Sequence, residues 1–253
     1  MCVFAAYLCP LLNPYFTRMK WSFFFTSVIG RKIVMALTGI FLITFLLVHV
    51  GLNACIFADW ANPSDNGEMF NKAAHFMGST IITRILEIVL FIGFIIHIIQ
   101  GYVIEAKNRA NRGQGYAKAL GNRGSTWMSR SMALLGTIIF LFLVVHISKF
   151  WWSSRITHDM DQVVYNNTEM HNVFLRMHDV FQNPWIVLLY LAGVTALGFH
   201  LWHGFHSGFR SMGVHNKKYL GLLKGLGYGF TIFISIGFAL MPVSMYLDWV
   251  SPN

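Results

Sequence analysis

IVMALTGIFLITFLLVHVGLNACIF, residues 33–57, runs 25 residues without a charged side chain and carries one histidine, His49, towards its far end. A helix rises about 1.5 Å per residue, so about 20 apolar residues cross the roughly 30 Å hydrocarbon core of a bilayer. The run must be helical there, because lipid offers no partner to backbone N–H and C=O groups. Four more runs of the same kind follow, at about 81–104, 131–152, 184–207 and 222–247. The expected fold is an all-α integral membrane protein of five transmembrane helices. Residues 1–26 read as an N-terminal extension and residues 27–253 as one membrane domain.

Composition agrees with a lipid solvent. The chain is 55% hydrophobic and only 11% charged, whereas soluble domains carry about a quarter charged residues. A net charge of +9 raises nucleic acid as a partner, but the bases sit in the short connections between apolar runs and not along a helix face. Nucleic acid is therefore not expected. Cys2, Cys9 and Cys55 form no CxxC and no CxxCH, which excludes a zinc knuckle and covalent haem attachment. Met1 to Phe16 is apolar without a charged leading segment, so no cleaved signal peptide is expected.

The connections alternate in charge. Arg18, Lys20, Arg31 and Lys32, then Lys107, Arg109, Arg112, Lys118, Arg123 and Arg130, then Arg210, Lys217, Lys218 and Lys224 make one set basic. The other set carries Asp59, Asp65 and Glu68, then Asp159, Asp161, Glu169 and Asp179, with Asp248 at the tail. The positive-inside rule then sets the N-terminus in the cytoplasm and the C-terminus outside. Trp60, Trp151, Trp152, Trp185 and Trp249 fall at the predicted outer ends, where amphipathic rings favour the headgroup level.

A repeat runs through the first four spans. Met35-Ala36-Leu37-x-Gly39 is followed by His49, and Met132-Ala133-Leu134-x-Gly136 by His146, each histidine ten residues after its glycine. The second and fourth spans share His-x-x-x-Gly, as His97/Gly101 and His200/Gly204, which points to a duplicated two-helix unit. A histidine in hydrocarbon is costly without a partner and is by default a functional residue. All four sit about 15 or 16 residues into their helices, roughly 24 Å of rise. Because alternate helices run in opposite directions, depth groups His49 with His146 on the outer side and His97 with His200 on the inner side.

Two imidazoles at one depth on different helices are what a six-coordinate haem requires. Two such pairs predict two haem b groups held by a bundle of the first four helices. Gly101 and Gly204, one turn beyond their histidines, would let a flat macrocycle lie close to the backbone. Helix packing by small residues is the alternative for both. His203 competes with His200 as fourth ligand, and equal depth with His97 favours His200. Propionates seek basic partners; Arg31, Arg130 and His203 suit the inner haem and Arg84 the outer one, with snorkelling at helix ends the alternative for each arginine.

At Phe70-Asn71-Lys72-Ala73-Ala74-His75-Phe76-Met77, Arg84-Ile85-Leu86-Glu87, His97-x-x-x-Gly101-Tyr102 and Phe199-His200 with Gly204, the chain resembles the cytochrome b subunit of succinate dehydrogenase and fumarate reductase. The likeness is to the class in which one five-helix polypeptide carries both haems, and it spans about residues 27–247. It implies His49, His97, His146 and His200 as haem-iron ligands, a flavoprotein subunit that interconverts succinate and fumarate, and an iron–sulfur subunit on the inner face. This chain would be the membrane anchor, with no catalytic residue of its own, in a bacterial cytoplasmic membrane. Electrons would reach a quinone, menaquinone, in the outer half of the membrane. His75, Arg84 and Glu87 would shape the quinone site or its proton supply, with helix capping the alternative for Arg84 and Glu87. Some fumarate-reducing members of the family carry a glutamate two residues before the fourth ligand; here that residue is Gly198, which points to succinate oxidation. Rival readings are the diheme cytochrome b of a nitrate reductase, formate dehydrogenase or hydrogenase, and a histidine-relay transporter.

Overall fold

A computed structural model describes residues 26–62, 64–111, 127–214 and 216–252. The extension up to residue 25, with Arg18 and Lys20, and also Arg112, Lys118, Arg123 and His215, lie outside the described residues. In chain order the elements are α1 (Val28–Asn53), α2 (Glu68–Ser79), α3 (Ile81–Asn111), α4 (Met132–His146), a hairpin of β1 (Gln162–Tyr165) and β2 (Thr168–His171), α5 (Val173–Phe181), α6 (Pro184–Ser211) and α7 (Lys217–Tyr246). Five helical stretches among the described residues, α1, α3, α4 with its continuation to Thr157, α6 and α7, are long and apolar enough to cross a membrane. The protein is an all-α membrane protein, and the hairpin is the single sheet among the described residues.

Caps explain where the spans begin. Ser27 Oγ accepts from Gly30 N at 2.9 Å and starts α1 at Val28, a turn before the apolar run. Asn183 and Asn216 cap α6 and α7 in the same way, and Pro184 stands at the first turn of α6, where a missing N–H costs nothing. The third span does not stop at His146 but goes on through π-helical turns, Ile147–Trp151 and Ser153–Thr157. The guanidinium of Arg176, on α5, donates to the Lys149 carbonyl and to Ser153 Oγ and so supplies donors where the helical ladder is irregular.

Helix α1 lies between α3 and α6, α4 packs on the opposite flank of α6, and α7 lies along α6. The faces turned away from the bundle are apolar, as at Ile81, Ile82, Ile88, Leu141 and Phe233, which in lipid is no liability. One end of the bundle, the capped end, is covered by α2, the hairpin and α5. The other end gathers Arg31, Lys107, Arg109, Arg130, Arg210, Lys218 and Lys224 and is called the basic end.

The cap arises from local rules that a search for long apolar runs passes over. Asn166 and Asn167 take positive φ, 50° and 61°, the conformation of a two-residue turn that matches strand twist. Helix α5 buries Phe174, Met177, Val180 and Phe181 on one face. Gly67, at φ 76°, starts α2; a Cβ there would overlap the Phe174 ring at 2.2 Å, so no other residue fits. Asn71 is fully buried. Its amide donates to Tyr165 Oη and Asn172 Oδ1, and its carbonyl accepts from Phe174 N at 2.9 Å. One side chain thus ties α2 to the hairpin and to α5. Asn71→Ala is expected to cost the cap about 3 kcal/mol, since it leaves buried partners unsatisfied. Hydrogen exchange in detergent would show β1, β2 and α5 losing protection while α6 and α7 keep theirs; equal protection throughout would contradict this account of Asn71.

Candidate functional site

The four span histidines meet in pairs across the bundle, each pair from two helices that run in the same direction. His49 of α1 faces His146 of α4 with ring centroids 5.8 Å apart and planes at 85°. His97 of α3 faces His200 of α6 at 6.2 Å and 65°. The first pair lies nearer the capped end, the second nearer the basic end. His203 does not join them; its ring contact is with His206 at 5.4 Å.

The surroundings follow the repeat. Phe45 stacks on His49 at 5.1 Å and Phe142 on His146 at 5.5 Å, each four residues ahead of its histidine. A Cβ at Gly39 would meet His97 Cε1 at 3.5 Å, and one at Gly136 would meet His200 Cε1 at 3.9 Å. The glycines of the Met-Ala-Leu-x-Gly motif therefore stand against the imidazoles of the following helix. Gly101 and Gly204 face Met35 and Met132 instead, at 3.5 and 4.0 Å. Three of the four rings have a polar neighbour at Nδ1: Asn53 for His49 at 3.3 Å, Thr38 for His97 at 3.1 Å, and Tyr190 for His146 at 3.3 Å. His200 Nδ1 is buried without a partner among the described residues.

This donor set fits haem. Two metal–nitrogen bonds of about 2 Å, with about 1.2 Å from nitrogen to ring centre, set imidazoles on opposite faces of one ion about 6 Å apart. Both pairs have that spacing. Among the described residues no three His, Cys, Asp or Glu side chains converge. Each pair thus offers two ligands, the number that a planar tetrapyrrole leaves to the protein.

Comparison with known proteins gives one relative that matters here. The succinate dehydrogenase cytochrome b558 subunit of Bacillus subtilis (strain 168) is 30% identical over 171 residues, which cover 67% of this chain and 70% of the relative. The chain belongs to the succinate dehydrogenase cytochrome b subunit family. No family model matches it, and no solved structure does.

The remaining candidate residues of this cytochrome b chain lie towards the two ends. At the basic end Arg31 is buried and donates from Nη1 to the Thr26 carbonyl at 2.7 Å. Arg130 is exposed in the turn Trp127–Arg130 ahead of α4. At the capped end Arg84 is exposed, with Nε on the Gly78 carbonyl at 3.2 Å. Glu87 is held from two sides: the Trp151 indole donates to Oε1, and Arg155 Nη2 donates to Oε2 at 3.1 Å. Arg155 also donates from Nη1 to the Gly78 carbonyl at 3.0 Å, which fastens the end of α2 over α3 and the third span.

His75, partly buried on α2, lies in the same region. Burial first, and then the charges of His158, Arg155 and His75, push His171 on β2 below its ordinary range. Sequence reasoning missed Trp151 and Arg155 as partners of Glu87, and Thr38, Asn53 and Tyr190 as partners of the imidazoles. One signal for Tyr190 was present: it precedes His200 by ten residues, as Glu87 precedes His97.

Proposed function

We propose that this chain is the diheme membrane anchor of a succinate:quinone oxidoreductase. His49 and His146 would hold one haem b, and His97 and His200 the other. The observation that carries the reading is the pairing itself: four histidines from four helices meet two by two at two depths of the bundle. When bound, the two haems supply one-electron transfer across the hydrocarbon core, which no side chain of this chain supplies. The name of the relative supports a flavoprotein and an iron–sulfur subunit as partners, with the dicarboxylate chemistry on the flavoprotein.

The basic end is read as cytoplasmic under the positive-inside rule, in a bacterial cytoplasmic membrane, with residues 27–253 as one membrane domain behind the extension. The iron–sulfur subunit would dock there, close to His97 and His200. The capped end would face outside, and a quinone, menaquinone, would accept electrons near His49 and His146. The physiological direction proposed is succinate oxidation. Ser235 Oγ stands 2.7 Å from where a Cβ at residue 198 would be, so α7 fills the space that a carboxylate at Gly198 would need.

Around the quinone, this chain's own residues would bind and supply protons. Glu87 is a partly buried carboxylate held between an indole N–H and a guanidinium, one helical turn before Phe91, whose ring touches Trp151 at 5.0 Å. A carboxylate so placed can relay a proton to a quinone oxygen while Arg155 holds it in position. Glu87→Gln is expected to lower succinate-driven quinone reduction about 10- to 100-fold while leaving haem content and haem reduction by succinate unchanged. Full quinone turnover in that variant would remove Glu87 from the site.

The proposal as a whole is tested by purifying the chain from its native membrane under mild detergent. Co-purified flavin and iron–sulfur clusters, with haem bands that succinate reduces, are expected. Haem reduced by formate or hydrogen, and not by succinate, would assign the chain to another quinone-linked enzyme.

A further inference from the structure

The duplicated unit is not symmetric where it matters most for its histidines. Thr38 in Met-Ala-Leu-Thr-Gly is matched by Leu135 in Met-Ala-Leu-Leu-Gly. In each copy the adjacent glycine lies against a histidine of the next helix, Gly39 on His97 and Gly136 on His200. Thr38 Oγ1 lies 2.8 Å from the Val34 carbonyl and 3.1 Å from His97 Nδ1; with its proton given to the carbonyl it accepts from the ring, the arrangement that an iron on Nε2 calls for. That contact requires the proton of the neutral ring to sit on Nδ1, which leaves the Nε2 lone pair bare. Leu135 is buried and offers no acceptor, and His200 Nδ1 is buried without a partner among the described residues.

We infer that Thr38 is a positioning residue that fixes the tautomer and donor strength of His97, and that its replacement by Leu135 in the second copy makes the two ligands of one haem unequal. The inference rests on the reading of His97 and His200 as an axial pair. An Nδ1–H that donates to a hydroxyl gains imidazolate character and becomes a stronger ligand, which favours ferric over ferrous iron. His97 is the strengthened ligand of this haem and His200 the weaker one. The repeat thus tunes one haem by the presence of a hydroxyl on one side and its absence on the other. Thr38 is not among the polar neighbours of His49 and His146, which are Asn53 and Tyr190, so the other pair is independent of this device.

The test is a redox titration of the purified whole complex, with the two haems resolved by their α-bands and by the EPR of the low-spin ferric states. Thr38→Val removes the acceptor at nearly constant volume. It is expected to shift the reduction equilibrium of one haem about tenfold towards ferrous, a rise of about 59 mV for one electron, and to leave the other haem unmoved. Thr38→Ser restores the wild-type potential. Leu135→Thr supplies His200 with a hydroxyl and lowers the same haem's potential. Unchanged potentials and EPR signals in Thr38→Val at full haem content overturn the inference, and so does an equal shift of both haems. Should Thr38→Val lose its haem, Leu135→Thr decides, and an unmoved potential there overturns the inference. Failure of the underlying ligand reading is distinct, because the wild-type complex would then show no bis-histidine haem before any variant is made.

Discussion

His49→Ala and His146→Ala are each expected to leave a complex with one haem b, the one proposed for His97 and His200, and to bring succinate-driven quinone reduction to background. The two rings lie 5.8 Å apart, and among the described residues no third histidine, cysteine or carboxylate converges on them. A haem held by this pair would have no substitute donor among the described residues once one imidazole is removed. The Phe45 and Phe142 rings stacked on the pair are apolar and cannot ligate. Neither change would touch the proposed flavoprotein partner, so reduction of a soluble artificial acceptor by succinate is expected to continue at the wild-type rate. Pyridine haemochrome content per chain and the two activities, measured on the same preparation, read all of this. Both haem signals intact in either variant would refute the assignment.

The second large effect separates His200 from its neighbours on the last turns of α6. His97→Ala and His200→Ala are expected to remove the other haem and to stop electrons from leaving the iron–sulfur subunit. The remaining haem then stays oxidised when succinate is added, although dithionite still reduces it. His203→Ala is expected to keep both haems and most of the turnover, because the His203 ring contacts His206 and not His97. Loss of a haem in His203→Ala with retention in His200→Ala would exchange their roles.

Much of this was legible in the sequence because lipid restricts the chain so strongly. A run such as residues 33–57 has one structural solution in a bilayer, and its length carries the depth of His49. Depth and alternating direction were enough to group the four histidines by twos, since antiparallel helices of similar length map residue number onto height. The capped end was read only as connection. Its helices are short, its hairpin depends on two asparagines in a left-handed turn, and its centre is one buried amide, Asn71, whose partners lie about a hundred residues away. Nothing periodic announces such a contact.

The motif Phe70-Asn71-Lys72-Ala73-Ala74-His75, quoted for a family resemblance, owes part of its character to that structural junction. Gly39 and Gly136, which sequence reasoning did not single out as clearance positions, stand against the rings, while Gly101 and Gly204 face methionines. Side-chain reach between helices decided that, and residue spacing within one helix does not contain it. Arg84 and Arg155 teach the same point. Both lie near the ends of spans in the sequence, yet the pair with Glu87 goes to Arg155, brought over by the π-helical continuation of the third span.

The measurement that bears most directly on the central claim is the haem b content of the purified complex per mole of this chain, by pyridine haemochrome, with the low-spin ferric EPR spectrum of the same sample. The account predicts two haems b per chain and two bis-histidine signals, at least one of which disappears on addition of succinate. One haem per chain, or none, would contradict it and leave one or both of the histidine pairs without the role argued for them.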